Sequence, residues 1–275
     1  MSWSRAWIVA RIDLRRLLLS RDYWMPLLFL SGIFFVFMPA VLLSIVTVQR
    51  DLEIVNRISD VLATLPGAVS DNLVGDTPRA RGAYALAVYL IAPIAIVVPL
   101  TISSAVAASS IVGERERGTG EFLAHSPLTE REIYVGKIIA SLIPGFMAAL
   151  GGFAVYSLIV NLRVGPLFGG WFFPTTGWWV LIFWVMPPFL AVAISVIVRV
   201  SGRVQSTVAA QQAATLVSLP IILGSYAVSS GVVVDPTLGA FVFGVVMWVL
   251  ATLGLVRGSR VLRRDTLLGV GIETR

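Results

Sequence analysis

The sequence has no cysteine and a single histidine, His125. The first absence excludes disulfides, thiolate catalysis and cysteine-based metal sites. The second excludes a paired-histidine metal site or a Ser-His relay, which leaves His125 as a surface-loop residue. Charge is scarce too: 13% of the 275 residues are Asp, Glu, Lys or Arg, against roughly 25% in soluble domains. No Gly-x4-Gly-Lys-Ser/Thr run occurs, so the chain carries no phosphate-cradling loop of the kind that holds ATP. Nothing matches a zinc-protease helix or a paired-carboxylate site either. The expectation is therefore a chain with no catalytic, cofactor-binding or metal-ligating residues of its own, and not an enzyme.

What fills the space is apolar: 57% of residues, with a mean hydropathy of +0.89. Charges cluster, and between the clusters lie six runs free of Asp, Glu, Lys, Arg and His: 25–48, 83–113, 138–162, 178–198, 208–231 and 238–256. A helix needs about 20 apolar residues to cross a bilayer, and each run is of that order. Transmembrane β-strands would instead alternate over about ten residues. The predicted fold class is an all-α integral membrane protein with six transmembrane helices. At ~1.5 Å per residue the second run is about 46 Å long, against a hydrocarbon core of roughly 30 Å. It must tilt, kink or protrude, and Pro93 and Pro99 supply kinks.

Positively charged flanks stay cytosolic. Apart from Arg50, Arg57, Arg79, Arg81 and Arg163, every Lys and Arg falls in residues 1–24, 114–137, 199–207 or 257–275. Those four segments are therefore cytosolic, and both termini lie inside. The formal charge of +6 and pI near 10.3 express this topology, not nucleic-acid binding. The first apolar run begins only at Met25 and has no plausible cleavage site, so the first span itself directs insertion.

Three segments outside the spans carry helical patterns. In residues 1–24, Trp3, Trp7, Ala10, Leu14, Leu17 and Leu18 recur at three- and four-residue steps, with arginines on other faces. This predicts an amphipathic helix lying in the inner headgroup layer. In the outer loop, Leu52, Val55, Ile58, Leu62 and Leu65 predict a short helix ended by Pro66-Gly67. The cytosolic loop 114–137 holds five acidic and four basic residues plus His125. Gly118 should break one helix and Thr119 cap a short one over 120–124 that presents Phe122 and Leu123. Ser126-Pro127 should end it, and Thr129 with Glu132 makes a capping box for a helix continuing through Lys137. Two apolar side chains on a solvated knob invite a partner.

The run from Glu114 to Lys137 resembles the signature of the type-2 ABC transporter permease family. An acidic-Gly-Thr stretch, a short apolar helix, a proline and a Gly-Lys pair stand at the family's spacing. The resemblance extends over the whole chain, from the N-terminal helix through six spans. Gly120 departs from it, since the family more often has a larger apolar residue there. The short 232–237 loop disfavours the branch with a large extracellular domain before the last span. What the resemblance implies is a coupling helix that docks in a cleft of a separate ATPase subunit. Glu114, Glu116, Gly118, Thr119, Glu121, Phe122, Leu123, Pro127 and Lys137 would be the coupling residues. ATP and Mg would sit on the partner ATPase, present in two copies, and the permease would pair with a second copy or a close relative. The setting implied is the prokaryotic plasma (inner) membrane, and the direction is export.

Ion-coupled carriers usually place ionisable residues at membrane depth, and the six runs have none. An ion-coupled secondary transporter is thus the weaker alternative. A non-transporting membrane scaffold, the other one, leaves the 114–137 loop without a reason. The runs instead contain prolines able to bend helices (Pro39, Pro93, Pro99, Pro144, Pro187-Pro188 and Pro220), and the small pairs Gly145/Ala149 and Ala148/Gly152, which favour close packing. Ser103, Ser104, Gln211, Gln212, Thr215 and Ser218 are the candidate lining of a translocation path at a shared interface. Trp171, Phe172, Phe173, Trp178 and Trp179 read as an aromatic belt at the outer boundary. The substrate is not legible.

Overall fold

The computed structural model describes residues 2–48, 73–216, 219 and 236–258. Among them there is no strand. In chain order the helices are α1 (Trp3–Leu19), α2 (Tyr23–Thr47), α3 (Pro78–Glu116), α4 (Gly120–Ala124), α5 (Glu130–Arg163), α6 (Thr176–Ser201), α7 (207–216) and α8 (Pro236–Gly258). Five of them, α2, α3, α5, α6 and the Leu238–Gly258 part of α8, are long and apolar enough to cross a membrane. They overlie five of the six uncharged runs. The sixth run, 208–231, falls mostly outside the described residues, as do the helix expected in the outer loop and the tail from 259 onward.

α3 is the central element, with 65% of its most apolar window buried, whereas the corresponding values for α2 and α8 are 22% and 17%. α5 and α6 pack on it; α2 and α1 lie against α5, and α8 against α6. Small residues permit the tightest of these approaches. A Cβ on Gly145 would stand 2.5 Å from the Pro99 carbonyl oxygen, so α5 and α3 meet nearly backbone to backbone there. The small-residue spacing at Gly145 and Ala149 is used for packing, with Ala149 fully buried. α1 docks on α5 in the same way, its Val9 and Ala6 occupying the space where a Gly136 side chain would be.

That contact selects one face of α1. Ala6, Val9 and Ala10 form its buried stripe, while Trp3, Trp7, Ile8 and Ile12 remain exposed. The small apolar residues, not the bulky ones, hold the helix to the bundle.

Among the described residues, three spans contain a π-helical turn: Gly32–Phe37 in α2, Leu86–Leu90 in α3 and Val180–Val185 in α6. Each stands just before a proline, Pro39, Pro93 or Pro187. A proline ring clashes with the carbonyl four residues earlier and offers no N–H. Those carbonyls belong to Phe35, Tyr89 and Phe183, all inside the widened turns. Widening relieves the clash without breaking the span.

In α3 the carbonyls around Pro93 find donors from neighbouring helices. Tyr156 Oη donates to Ala87 O at 2.6 Å and Trp178 Nε1 to Val88 O at 2.9 Å. Asn161 fixes the turn before α6: its Oδ1 accepts from Phe172 N at 3.0 Å and Phe173 N at 3.1 Å. These contacts correct part of the expected aromatic belt. Trp171 and Trp179 are exposed, but Phe173 and Trp178 are buried, Trp178 stacking 5.1 Å from Tyr156. Their polar atoms and rings serve the interior because the widened turn of α3 needs them.

Candidate coupling site

The turn between α3 and α5 takes the expected form and adds an unexpected set of anchors. Gly118 has a φ of +70°, the left-handed conformation that glycine adopts without steric cost, and ends α3. α4 follows over Gly120–Ala124. Ser126 Oγ donates to Leu123 O at 2.7 Å as the helix stops before Pro127. Thr129 and Glu132 form the capping box of α5, Thr129 Oγ1 accepting from Glu132 N and Glu132 Oε2 from Thr129 N. Glu132 Oε1 also accepts from Ser2 N at 2.8 Å, tying the start of α1 to this cap. Thr119 does not cap α4: its hydroxyl donates back to the Glu114 side chain and its N–H to the Glu114 carbonyl at 2.9 Å.

Lys137 is the buried cation of the site. It is 2% exposed, with Nζ 2.9 Å from Asp13 Oδ2 of α1 and 3.0 Å from Glu114 Oε1 of α3. Arg16 and Arg117 approach Glu114 more loosely, at 3.6 and 3.7 Å. Burial of this cluster removes water, so each charge depends on its partners.

The two residues after Glu114 reach other helices. Arg115 Nη2 donates to Ser201 O at 3.2 Å and Val204 O at 2.6 Å, placing a cation at the C-terminus of α6. Ser201 Oγ donates in return to Ala108 O at 2.6 Å. The Glu116 carboxylate accepts from Thr207 N at 2.8 Å and from the Thr207 hydroxyl, placing an anion at the N-terminus of α7. Three consecutive residues at the end of α3 thus hold α1 with α5, then α6, then α7. Glu114 and Glu116 both bond inside the chain, Glu114 from a buried position and Glu116 from an exposed one.

What remains outward is Phe122, 81% exposed, beside exposed Glu121. Leu123 is half-buried and packs against the core, so the two apolar residues of α4 point to different surroundings. His125 is exposed, its Nδ1 2.8 Å from Glu121 O.

The candidate path residues divide. Ser103 and Ser104 are buried, Ser103 in the α3–α5 seam facing Gly145, whereas Gln211, Gln212 and Thr215 are exposed on α7. Ser218 lies outside the described residues. One chain therefore does not gather them into a single channel. Asp13, Arg115, Ser201 and Thr207 belong to the site without having been expected. No local signal singles out Asp13; for Thr207 the signal was a threonine opening an apolar run.

The family described as ABC-2 family transporter protein matches residues 69–257, from ahead of α3 to the end of α8. The chain belongs to the ABC-2 transporter family. No curated protein matches it. It is a multi-pass membrane protein, an ABC transporter permease, and permeases of this family are membrane subunits that associate with ABC ATPases. The anchored turn of the permease lies wholly within the matched residues. α1, with Asp13 and Arg16, lies outside them.

Proposed function

We propose that this permease couples ATP hydrolysis on two separate ATPase subunits to movement of a substrate out of the cytosol across a prokaryotic plasma membrane. The charged end carrying α4 faces the cytosol with both termini, and α1 rests in the inner headgroup layer on its exposed tryptophans. The permease works with a second copy, or a close relative, and binds no nucleotide itself. The observation that supports coupling most directly is Phe122: a large apolar side chain 81% exposed on a turn braced at both ends. A rigid support is what allows a docked partner to transmit displacement, because a loose loop would absorb it. From Phe122, motion passes through Glu114, Arg115 and Glu116 to α5, α6 and α7.

Burying Phe122 in a cleft of the ATPase contributes about 1.5–3 kcal/mol, or about one to two powers of ten in affinity. Exposed Glu121 at the rim contributes about 0–1 kcal/mol. Phe122→Ala should therefore weaken ATPase co-purification by that factor, and Glu121→Gln should change it little. Equal assembly of wild type and Phe122→Ala with the partner ATPase would overturn the coupling assignment.

A further inference from the structure

Two cavities follow one another along α3 and α5, the larger closed by α2 and the smaller by α1. Glu114 and Lys137 of the coupling site border the smaller, but the coupling role gives neither space an occupant. The larger, about 400 Å³, is lined by Trp24 and Leu28 of α2, Met147 and Gly151 of α5 and buried Ile102 of α3. Its walls are apolar, and Leu28 and Met147 at its sides are exposed, so it opens on the face that meets the bilayer. The smaller, about 80 Å³, lies toward the charged end and is bordered by Asp13, Arg16, Glu114, Arg117 and Lys137. On α5 the two share one helix face, Ser141 lining the small cavity and Pro144 the large one. That is about 4.5 Å along the axis. On α3, Val106 and Ile102 bracket the same gap, about 6 Å.

The charges at the small end do not cancel. Three cations face two carboxylates, and Lys137 takes up Asp13 and Glu114 at hydrogen-bond distance. The surplus positive charge rests on Arg16 and Arg117. Their guanidinium nitrogens stand 3.6 and 3.7 Å from Glu114, beyond hydrogen-bond length, and their side chains are 49% and 45% exposed.

We propose that this groove holds one anionic phospholipid of the adjoining leaflet, its phosphate against Arg16 and Arg117 and one acyl chain in the larger cavity. A phosphodiester carries the single negative charge that the small end lacks, and its oxygens suit the guanidinium fork. The large cavity falls within the roughly 300–1,000 Å³ of ligand pockets. It has almost no polar partner for water, whereas acyl chains lie at its mouth. Trp24 stands in the wall with an indole suited to the headgroup boundary. A bound phosphate would fasten α1 to the end of α3 through two arginines that Glu114 holds only loosely.

The test takes the full-length permease in detergent and adds phosphatidylglycerol or phosphatidylcholine, read by native mass spectrometry and thermal unfolding. One phosphatidylglycerol should be retained, about tenfold more tightly than phosphatidylcholine, whose phosphate can make the same contacts but whose choline cation is repelled by the surplus charge of Arg16 and Arg117. Arg16→Gln with Arg117→Gln should equalise the two lipids. Gly151→Leu should abolish retention of both: Gly151 lines the cavity and a Cβ there meets nothing within 4 Å, so a longer side chain at this position competes with the acyl chain for space and tests the site independently of the charged end. Retention by Gly151→Leu would overturn the proposal. So would equal retention of the two lipids by the wild type, or inorganic phosphate alone raising the unfolding temperature as much as phosphatidylglycerol. If Gly151→Leu instead broke the pairing of permease copies and left lipid retention intact, the groove would be a protein interface.

Discussion

A lysine ammonium that is 2% exposed needs compensating charge, because water no longer solvates it. Lys137 finds that charge on two helices, Asp13 of α1 and Glu114 of α3. Truncating one member of a buried charge cluster leaves the others uncompensated, which costs about 3–5 kcal/mol. Lys137→Met should lower the thermal unfolding temperature of the purified permease accordingly, and adding Glu114→Gln should restore part of the loss. Additive losses in the combined variant would mean that the two side chains are not coupled. Lys137 and Glu114 were both legible in the sequence as members of a signature. Asp13 was not, since nothing local distinguishes an acid that will meet a buried lysine from one that faces water.

The helices themselves were the most legible feature. Uncharged runs of span length carry their own boundaries, and five of them coincide with helices able to cross a membrane. Thr129 and Glu132 announced the start of α5 because a capping box is a local motif. Prolines announced irregularity without its form: Pro39, Pro93 and Pro187 follow widened turns, while Pro144 sits in α5 with no π-turn before it. The form depends on which neighbour can serve the stranded carbonyls, a tertiary matter that periodicity does not encode. For the same reason Trp178 read as a boundary anchor. Trp178→Phe keeps an aromatic ring for the stack with Tyr156 and removes the donor to Val88 O together with part of the buried indole. A buried carbonyl left without its partner costs about 1–3 kcal/mol, so the variant should unfold at a measurably lower temperature. Trp179→Phe, at an exposed ring, should not. Equal shifts in the two would remove the assigned role of the Trp178 indole.

For the whole molecule, the exposed polar residues of α7 pose the remaining question. Gln211, Gln212 and Thr215 lie on one helix whose start is fixed by Glu116, and in a hydrocarbon environment unpaired amides are costly. A second surface would give them partners, and in the proposed symmetric pair of permeases the same helix would be presented from both sides. Ser103 and Ser104 are buried within the single chain, so α7 is the candidate stretch that a second copy would meet directly. The chain has no cysteine, so single thiols report cleanly. Thr215→Cys and Gln212→Cys should crosslink two permease copies in native membranes, with yields that change when ATP is added to the assembled transporter. Ser104→Cys, from a buried position, should not. Crosslinking at Ser104 with none at 212 or 215 would place the contact between copies on α3 and remove α7 from the path.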